Sequence, residues 1–373
     1  MITQRVELHR ILMRGPGDVS GLTRLLQSGA LAAGDIVAIL GKTEGNGGVN
    51  DFTREYACRA FAHALAPHLR CGPEEVEARI AMVMSGGTEG VLSPHASVFT
   101  RRKAEAGNGK AKRLVVGISH TRAFLPEELG RAAQIDETAR AVRIAMADAG
   151  IGDVSDVHFV QVKCPLLTAE RIEEAFARGQ RTVTDDGYAS MAYSRGASAL
   201  GVALALGEIS GPIDEQAVLT DWGLYSAVAS ASAGIELAYS AVVVMGNSAS
   251  AASDCVIGHA LMRDAIDLGG VMQAFASIGL DAAPGLNGHA ADRVINVFAK
   301  AESSPDGLVR GYRHTMLDDS DITATRHARA AVGGLIAGVA GCGAVYVSGG
   351  AEHQGPPGGG PIAVIAHANR VVE

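Results

Sequence analysis

The sequence predicts an α/β protein made of three structurally similar α/β repeats around a pseudo-threefold axis. Three observations predict it. A lysine ends an apolar run three times: Lys42 after IVAILG, Lys163 after HFVQV and Lys300 after VINVFA. Each lysine is followed by an arginine in a Thr/Ser-Arg pair (Arg54, Arg195, Arg326). After each arginine comes a serine in a small-residue turn ahead of an acid: Ser85 in SGGTE, Ser232 in SAGIE and Ser348 in SGGAE. Repeats this long are not a solenoid, and three α/β units about one axis can pack sheets inward and helices outward.

Each repeat opens with a strand, an amphipathic helix and a second strand that ends at the lysine. In the first these are 6–13, 19–28 and 36–40; in the second 114–119, 134–149 and 157–162; in the third 255–262, 266–278 and 293–299. A helix then carries the arginine region: 54–65, 195–206 or 326–339. An apolar strand delivers the serine: 80–84, 345–347 and, less clearly, 227–230. The connectors near 101–112 (RRKAEAGNGKAK) and 247–254 (NSASAASD) give repeats of 1–105, 112–247 and 253–373, with one site at their interface. Functional residues at strand ends and in the following turns are usual for α/β folds.

Composition narrows the function. The chain has 373 residues, 47% hydrophobic and 19% charged, an ordinary globular balance. A net charge of -8 without a basic run leaves no electrostatic footprint for nucleic acid, and 4% aromatics leave few stacking platforms. The local RRK and KAKR near 101–113 read as a solvated connector. Five cysteines (Cys58, Cys71, Cys164, Cys255, Cys342) show no CxxC or zinc spacing, so free thiols in a reducing compartment are expected. The start MITQRVELHR lacks an apolar signal core. The uncharged stretch 332–350 holds seven glycines in 19 residues, and reads as a buried helix and strand rather than a membrane span. A cytoplasmic protein without membrane or nucleic-acid partners is expected.

The chemistry-bearing positions fit a Ser-Lys enzyme. A serine needs a base to act as nucleophile, no Gly-X-Ser-X-Gly elbow is present, and the histidines show no threefold pattern. Burial and a nearby arginine would lower a lysine's pKa enough for it to be that base. Lys42 and Lys300 are each followed two positions later by an acid, Glu44 and Glu302, whereas Lys163 is followed there by Pro165. Lys163 is therefore the expected neutral base and Ser232 the nucleophile. Arg54, Arg195 and Arg326, with Ser85 and Ser348, would hold the substrate. The N–H groups of Gly86, Ala233 and Gly349 could bind carbonyls or an oxyanion. The same turns could equally serve folding alone. GKT at 41–43 is not a P-loop, because Ile36 stands where the first glycine must be. The Gly/Pro-rich run 350–361 reads as a loop, either plain surface or, with Glu302 and Gln354, an oxygen cage for a hard cation.

The strings GKTEGNGGVNDFTR, MSGGTEGVLSPH, QVKCPLLT, AYSRGASALG, RHTMLDDSDI and YVSGGAEHQGPPGGGP resemble the cyanuric acid hydrolase and barbiturase family, the ring-opening amidohydrolases, over essentially the whole chain. The pattern is nearer the cyanuric acid hydrolase branch. The resemblance implies a central barrel-like core of sheets with helices outside, and a homotetramer. It implies hydrolytic opening of cyanuric acid to carboxybiuret, then biuret and carbon dioxide; hydrolysis of barbituric acid to ureidomalonate is the alternative. It implies Lys163 and Ser232 as the catalytic pair and Lys42 and Lys300 as the other dyad lysines. Substrate contacts would be Arg54, Ser85, Gly86, Arg195, Ala233, Arg326, Ser348 and Gly349. No catalytic cofactor is implied, but a structural divalent cation, Mg2+ or Ca2+, would sit on Glu302, Ala351, Gln354, Gly355, Pro356 and Gly359. Phosphoryl transfer and non-catalytic binding of a small planar anion are the competing function classes.

Overall fold

A computed structural model describes residues 2–105, 111–283, 285–286 and 288–368. The first stretch contains β1 (Ile2–Leu12), α1 (Ser20–Gln27), β2 (Ile36–Thr43), α2 (Phe52–Leu69), α3 (Pro73–Arg79), β3 (Ala81–Gly86) and β4 (His95–Glu105). Next come β5 (Arg113–His120), α4 (Ala132–Ala149), β6 (Val157–Pro165), α5 (Ala169–Ala177), α6 (Gly187–Leu206), β7 (Ala229–Gly234) and β8 (Ala241–Ser248). The last are β9 (Cys255–Met262), α7 (Leu268–Ala276), α8 (Gly288–Arg293), β10 (Val294–Ala301), the short ribbon β11 (Leu308–Val309) and β12 (Tyr312–Arg313), α9 (Ala324–Ala340), β13 (Tyr346–Gly349) and β14 (Gly360–His367).

The strands form three four-stranded mixed sheets, ordered β1-β4-β2-β3, β5-β8-β6-β7 and β9-β14-β10-β13. Every lysine-bearing strand (β2, β6, β10) pairs in parallel with the serine-bearing strand (β3, β7, β13) and antiparallel with the last strand of its sheet. Parallel neighbours need a crossover, and α2, α6 and α9 lie within those crossovers. Asp51 caps α2 by accepting from Thr53 N at 3.0 Å, and Asp186 caps α6 through Tyr188 N and Ala189 N. Left-handed Gly207 and Gly341 end α6 and α9.

One buried cluster draws on all three sheets: Leu40 and Phe99, Phe159 and Met245, Phe298 and Tyr346 among others. The Phe298 ring lies 6.2, 5.8 and 5.5 Å from those of Phe99, Phe159 and Tyr346. Separate clusters fill the space between each sheet and its own helices. The sheets therefore meet at the centre and the helices lie outside. Hydrogen bonding closes no strand barrel among the described residues, because the strands divide into separate sheets.

The final strand of each sheet, β4, β8 and β14, has no counterpart in the element reading of the sequence. Strand β4 runs to Glu105, so 101–105 is strand rather than connector; residues 106–110 of that connector lie outside the described residues. Its charges Arg101, Arg102, Lys103 and Glu105 crowd the strand end, mostly exposed, which looks like a polar linker in sequence. Likewise β14 starts at Gly360 inside the Gly/Pro-rich run, between β10 and β9. Glycine is required there, because a Cβ on Gly360 would lie 2.7 Å from the Lys300 carbonyl oxygen. The stretch 332–350 is buried helix and strand, and no described helix is long and apolar enough to cross a membrane. All five cysteines are free.

Candidate active site

Strand register sets the site. Lys42 is paired with Ser85, Lys163 with Ser232 and Lys300 with Ser348, each directly across a parallel strand pair. All three lysines are fully buried. Lys42 Nζ donates to Ser85 Oγ at 3.0 Å and to Gly86 O at 3.1 Å. Lys300 Nζ donates to Ser348 Oγ at 3.3 Å, Gly349 O at 2.9 Å and, across to the second sheet, Ala231 O at 2.8 Å. Lys163 Nζ reaches the first sheet at Met84 O (3.0 Å) and lies 2.9 Å from Glu236 Oε1. Ser85 Oγ donates to Ser348 Oγ at 3.3 Å. Ser232 Oγ is buried and has no hydrogen-bond partner among the described residues.

The three acids that follow the serines pair with arginines from other sheets' crossover helices. Glu89 takes a bidentate pair from Arg329 at 2.6 and 2.7 Å, and Glu352 takes one from Arg195 at 2.7 and 2.6 Å. Glu236 stands 3.6 Å from Arg54 Nε. The pairs run in a closed cycle. The first segment's arginine meets the second segment's acid, the second's meets the third's, and the third's meets the first's. Two glycines make the bidentate pairs possible. Gly87 (φ +83°) and Gly350 (φ +75°) are left-handed, and a Cβ on them would collide with Arg329 and Arg195. Gly234, two residues after Ser232, remains within β7 instead, and Glu236 packs over it.

A small cavity with about 280 Å³ of atom-free space, open on one side, is lined by Arg54, Ser85, Gly86, Lys163, Arg195, Ser232, Ala233, Ser348 and Gly349 of the expected residues. Lys42 and Lys300 do not line it and sit behind Ser85 and Ser348. Arg326 is not brought to it. Its side chain is 41% exposed, lines only a wider vestibule outside, and makes a 3.4 Å ion pair with Glu89. Arg329, one helical turn further along α9 and 4% exposed, lines the cavity in its place. Arg329, Glu89, Glu236 and Glu352 are the functional candidates that sequence reasoning missed. The acid four residues after every serine was the signal that could have found the last three.

Burial dominates the electrostatics. It pushes Lys42 well below the ordinary amine value, with Arg329 adding to the effect. Lys300 falls to about 7, by burial and then by Arg195. Lys163 is lowered by burial, opposed by Glu236 and reinforced by Arg54. Burial would raise Glu236, but Lys163 and Arg54 overcome it and hold its carboxyl below the ordinary range. The expectation that Lys163 lacks an acidic partner is thus corrected. Acids two positions along the chain did not decide the matter, because the partner comes from the turn after the neighbouring strand. Among the described residues Lys42 and Lys300 have no carboxylate within ion-pair distance, and Lys163 does.

The turn between β13 and β14 and the end of β10 carry the positions expected to hold a cation. Gln354 is fully buried and braces the turn: its Oε1 accepts from Ala231 N at 2.7 Å, and its Nε2 donates to Gly350 O and Glu352 O. Gly355 (φ +99°) and Gly358 (φ +80°) are left-handed. Burial and the neighbouring Glu352 push the Glu302 carboxyl up, and no described cation pairs with it. Among the described residues no three His, Cys, Asp or Glu side chains cluster as a metal site. The expected donors, one carboxylate, a side-chain amide and main-chain carbonyls, are the oxygen types that a hard cation takes.

Comparison with known proteins matches this geometry to a family. A family model described as amidohydrolase ring-opening protein matches residues 7–367. The chain is 64% identical over 368 residues to a cyanuric acid amidohydrolase of Bradyrhizobium diazoefficiens, covering 98% of this chain and 99% of that protein. It is 58% identical to another of Pseudomonas sp. strain ADP, covering 97% and 99%. A solved cyanuric acid hydrolase superposes with a TM-score of 0.94 at 57% identity, over 98% of this chain and 100% of that one. A second, from A. caulinodans, gives a TM-score of 0.90 at 49% identity, over 98% and 100%. The chain belongs to the ring-opening amidohydrolase family and is an enzyme of that family.

Proposed function

We propose that the protein hydrolyses cyanuric acid, opening the s-triazine-trione ring to carboxybiuret, which loses carbon dioxide to give biuret. One observation carries the reading. Three Lys-Ser register pairs and three cavity arginines surround one small pocket, and one hydroxyl there, Ser232 Oγ, is unpartnered. A ring with three equivalent carbonyls suits such a site, and relatives above half identity carry the cyanuric acid amidohydrolase name. Barbituric acid, the alternative substrate, lacks that symmetry, and no observation favours it.

Arg54, Arg195 and Arg329 and the N–H groups of Gly86, Ala233 and Gly349 hold the planar ring. Ser85 and Ser348, already bonded to their lysines, orient it. Neutral Lys163 takes the Ser232 Oγ proton as Oγ bonds to a ring carbonyl carbon. Main-chain donors stabilise the oxyanion. The ring C–N bond breaks, and the nitrogen leaves with the proton from Lys163. Water then attacks the acyl-serine carbon, its proton passes to Lys163, and Ser232 Oγ recovers a proton as carboxybiuret departs.

The three segments 1–105, 112–247 and 253–373 act as repeats about a pseudo-threefold axis with a barrel-like centre; the identical strand orders and the cyclic arginine-acid pairing support this. A divalent cation held by Glu302, Ala351, Gln354, Gly355, Pro356 and Gly359 would neutralise the Glu302–Glu352 neighbourhood and brace the turn that presents Ser348. A cytoplasmic homotetramer completes the reading. The test is incubation with cyanuric acid and, separately, barbituric acid, reading substrate loss and product. Biuret formation supports it; tight cyanuric acid binding without biuret, or faster turnover of barbituric acid, refutes it.

A further inference from the structure

Glu236 stands between Lys163 and a second cavity. On one side it meets Lys163 Nζ at 2.9 Å and Arg54 Nε at 3.6 Å. On the other, the residue helps line a second cavity between α2, α3 and the turn after β7, separate from the substrate pocket and its vestibule, with both carboxylate oxygens themselves buried. Facing it there are Glu55, Cys58 and Arg59 of α2, Glu77 of α3, His120 of β5 and Tyr239. This cavity has about 570 Å³ of atom-free space, against about 280 Å³ in the first. Glu55 and Arg59 are exposed, so this cavity reaches the surface away from the substrate mouth. Neither Glu236 oxygen, nor Glu77 Oε1, has an aligned hydrogen-bond donor among the described residues.

Glu236 is alone among its counterparts in this freedom. Glu89 and Glu352 are each held by two guanidinium hydrogen bonds. We propose that Glu236 is the proton store of Lys163: it takes the ammonium proton across their 2.9 Å contact and leaves a neutral amine beside Ser232. This rests on the reading of Lys163 and Ser232 as the working pair. In the step, one Nζ–H bond breaks, its electron pair stays on nitrogen, and an O–H bond forms on Glu236 Oε1. The nitrogen pair then accepts the Ser232 proton as Oγ bonds to carbon. Glu236 acts through Lys163, as a positioning residue. A carboxylate that only held Lys163 charged would oppose catalysis; one that can accept the proton makes the charged resting pair and the neutral working pair forms of equal net charge.

The test is Glu236→Gln and Glu236→Ala in the full-length enzyme, with kcat and KM for cyanuric acid across pH and a thermal melt of each variant. Loss of a positioned proton acceptor is worth on the order of 10²-fold in rate. The expected result is a kcat lower by about that factor at neutral pH in Glu236→Gln, with KM within about threefold of the parent. The loss narrows as pH rises, because Lys163 must then give its proton to bulk water. In Glu236→Ala, formate entering through the second cavity restores kcat at least tenfold, and it does not in Glu236→Gln. Near-parental kcat in Glu236→Gln with the acid limb moved to lower pH would overturn the proposal, since the carboxylate would then only have held Lys163 charged. So would a loss equal at every pH and unanswered by formate. Lys163→Ala separates the two levels: turnover that survives in it sinks the Lys163 reading itself, whereas its loss alongside an unaffected Glu236→Gln sinks only the proton store.

Discussion

Lys163 lies directly across a parallel strand pair from Ser232, yet its nitrogen is drawn to Glu236 at 2.9 Å and leaves the serine hydroxyl unpartnered. The other two lysines hold their serines in hydrogen bonds. The same register thus yields two occupied hydroxyls and one free one, and the break coincides with the turn in which Gly234 stays in its strand while Gly87 and Gly350 turn left-handed. Ser232 Oγ is thus the one hydroxyl of the three not already committed, and in the proposed mechanism Lys163 turns to it from Glu236 to act as its base.

Arg329, not Arg326, belongs to the substrate cavity. Arg326→Ala is expected to leave kcat/KM for cyanuric acid within about threefold, because its side chain is 41% exposed and its ion pair with Glu89 is the longer one. Arg329→Ala is expected to lower kcat/KM at least 100-fold and to lower stability by roughly 3–5 kcal/mol, because it leaves Glu89 enclosed without its bidentate partner. Steady-state kinetics and urea unfolding of the two variants check both effects.

Gly350→Ala and Gly150→Ala form a matched pair. Both glycines are left-handed, at φ +75° and +71°. A Cβ on Gly150 meets nothing within 4 Å, so about 1 kcal/mol of backbone strain and unchanged kinetics are expected. A Cβ on Gly350 collides with Arg195, so the same strain comes with displacement of a cavity arginine and at least a tenfold lower kcat/KM. Equal kinetics in the two variants would contradict the role given to the turn.

The lysine burial has a signed consequence for stability. Burial lowers Lys42 well below 10.5 in the folded protein, so between that depressed value and 10.5 the unfolded chain binds more protons than the folded one. Unfolding free energy therefore rises with pH in that window, by up to about 1.4 kcal/mol per pH unit from this group. Lys42→Met is expected to remove that much of the slope just below pH 10.5, whatever it does to absolute stability. Urea titrations of parent and variant at several pH values measure it; an unchanged slope would mean that Lys42 stays charged when buried.

Removal of divalent cations tests the turn after β13. Dialysis against a chelator is expected to lower the melting temperature by several degrees, with recovery on adding Mg2+ or Ca2+. Glu302→Gln is expected to abolish that recovery. A melt insensitive to both would remove the cation from the account.

Much of this was legible in sequence because three copies of one order, lysine then arginine then serine, fixed which strands deliver which groups. The strands that carry Lys42, Lys163 and Lys300 read clearly, since each is mostly apolar, broken only by His158 and Gln161 in the second and Asn296 in the third, and is buried on both faces. The last strand of each sheet was not legible. β4 ends in exposed charges, and β14 opens on Gly360 and Pro361, both of which resemble loop. The choice between Arg326 and Arg329 was likewise hidden, because residues three apart on a helix share nearly one face and only packing decides which is inward. The acid beside Lys163 was missed for a related reason: chain proximity pointed to Glu44 and Glu302, whereas the pairing crosses from β6 to the turn after β7. The asymmetry that singles out Ser232 coincides with the backbone conformation at Gly234, which its residue type does not reveal.

The most direct measurement is the site of the covalent intermediate. Enzyme mixed with cyanuric acid, quenched in acid within the first turnover and digested, should carry the acyl mass on the peptide containing Ser232, and Ser232→Ala should form neither adduct nor biuret. An adduct on Ser85 or Ser348, or biuret formation that persists in Ser232→Ala, would contradict the account.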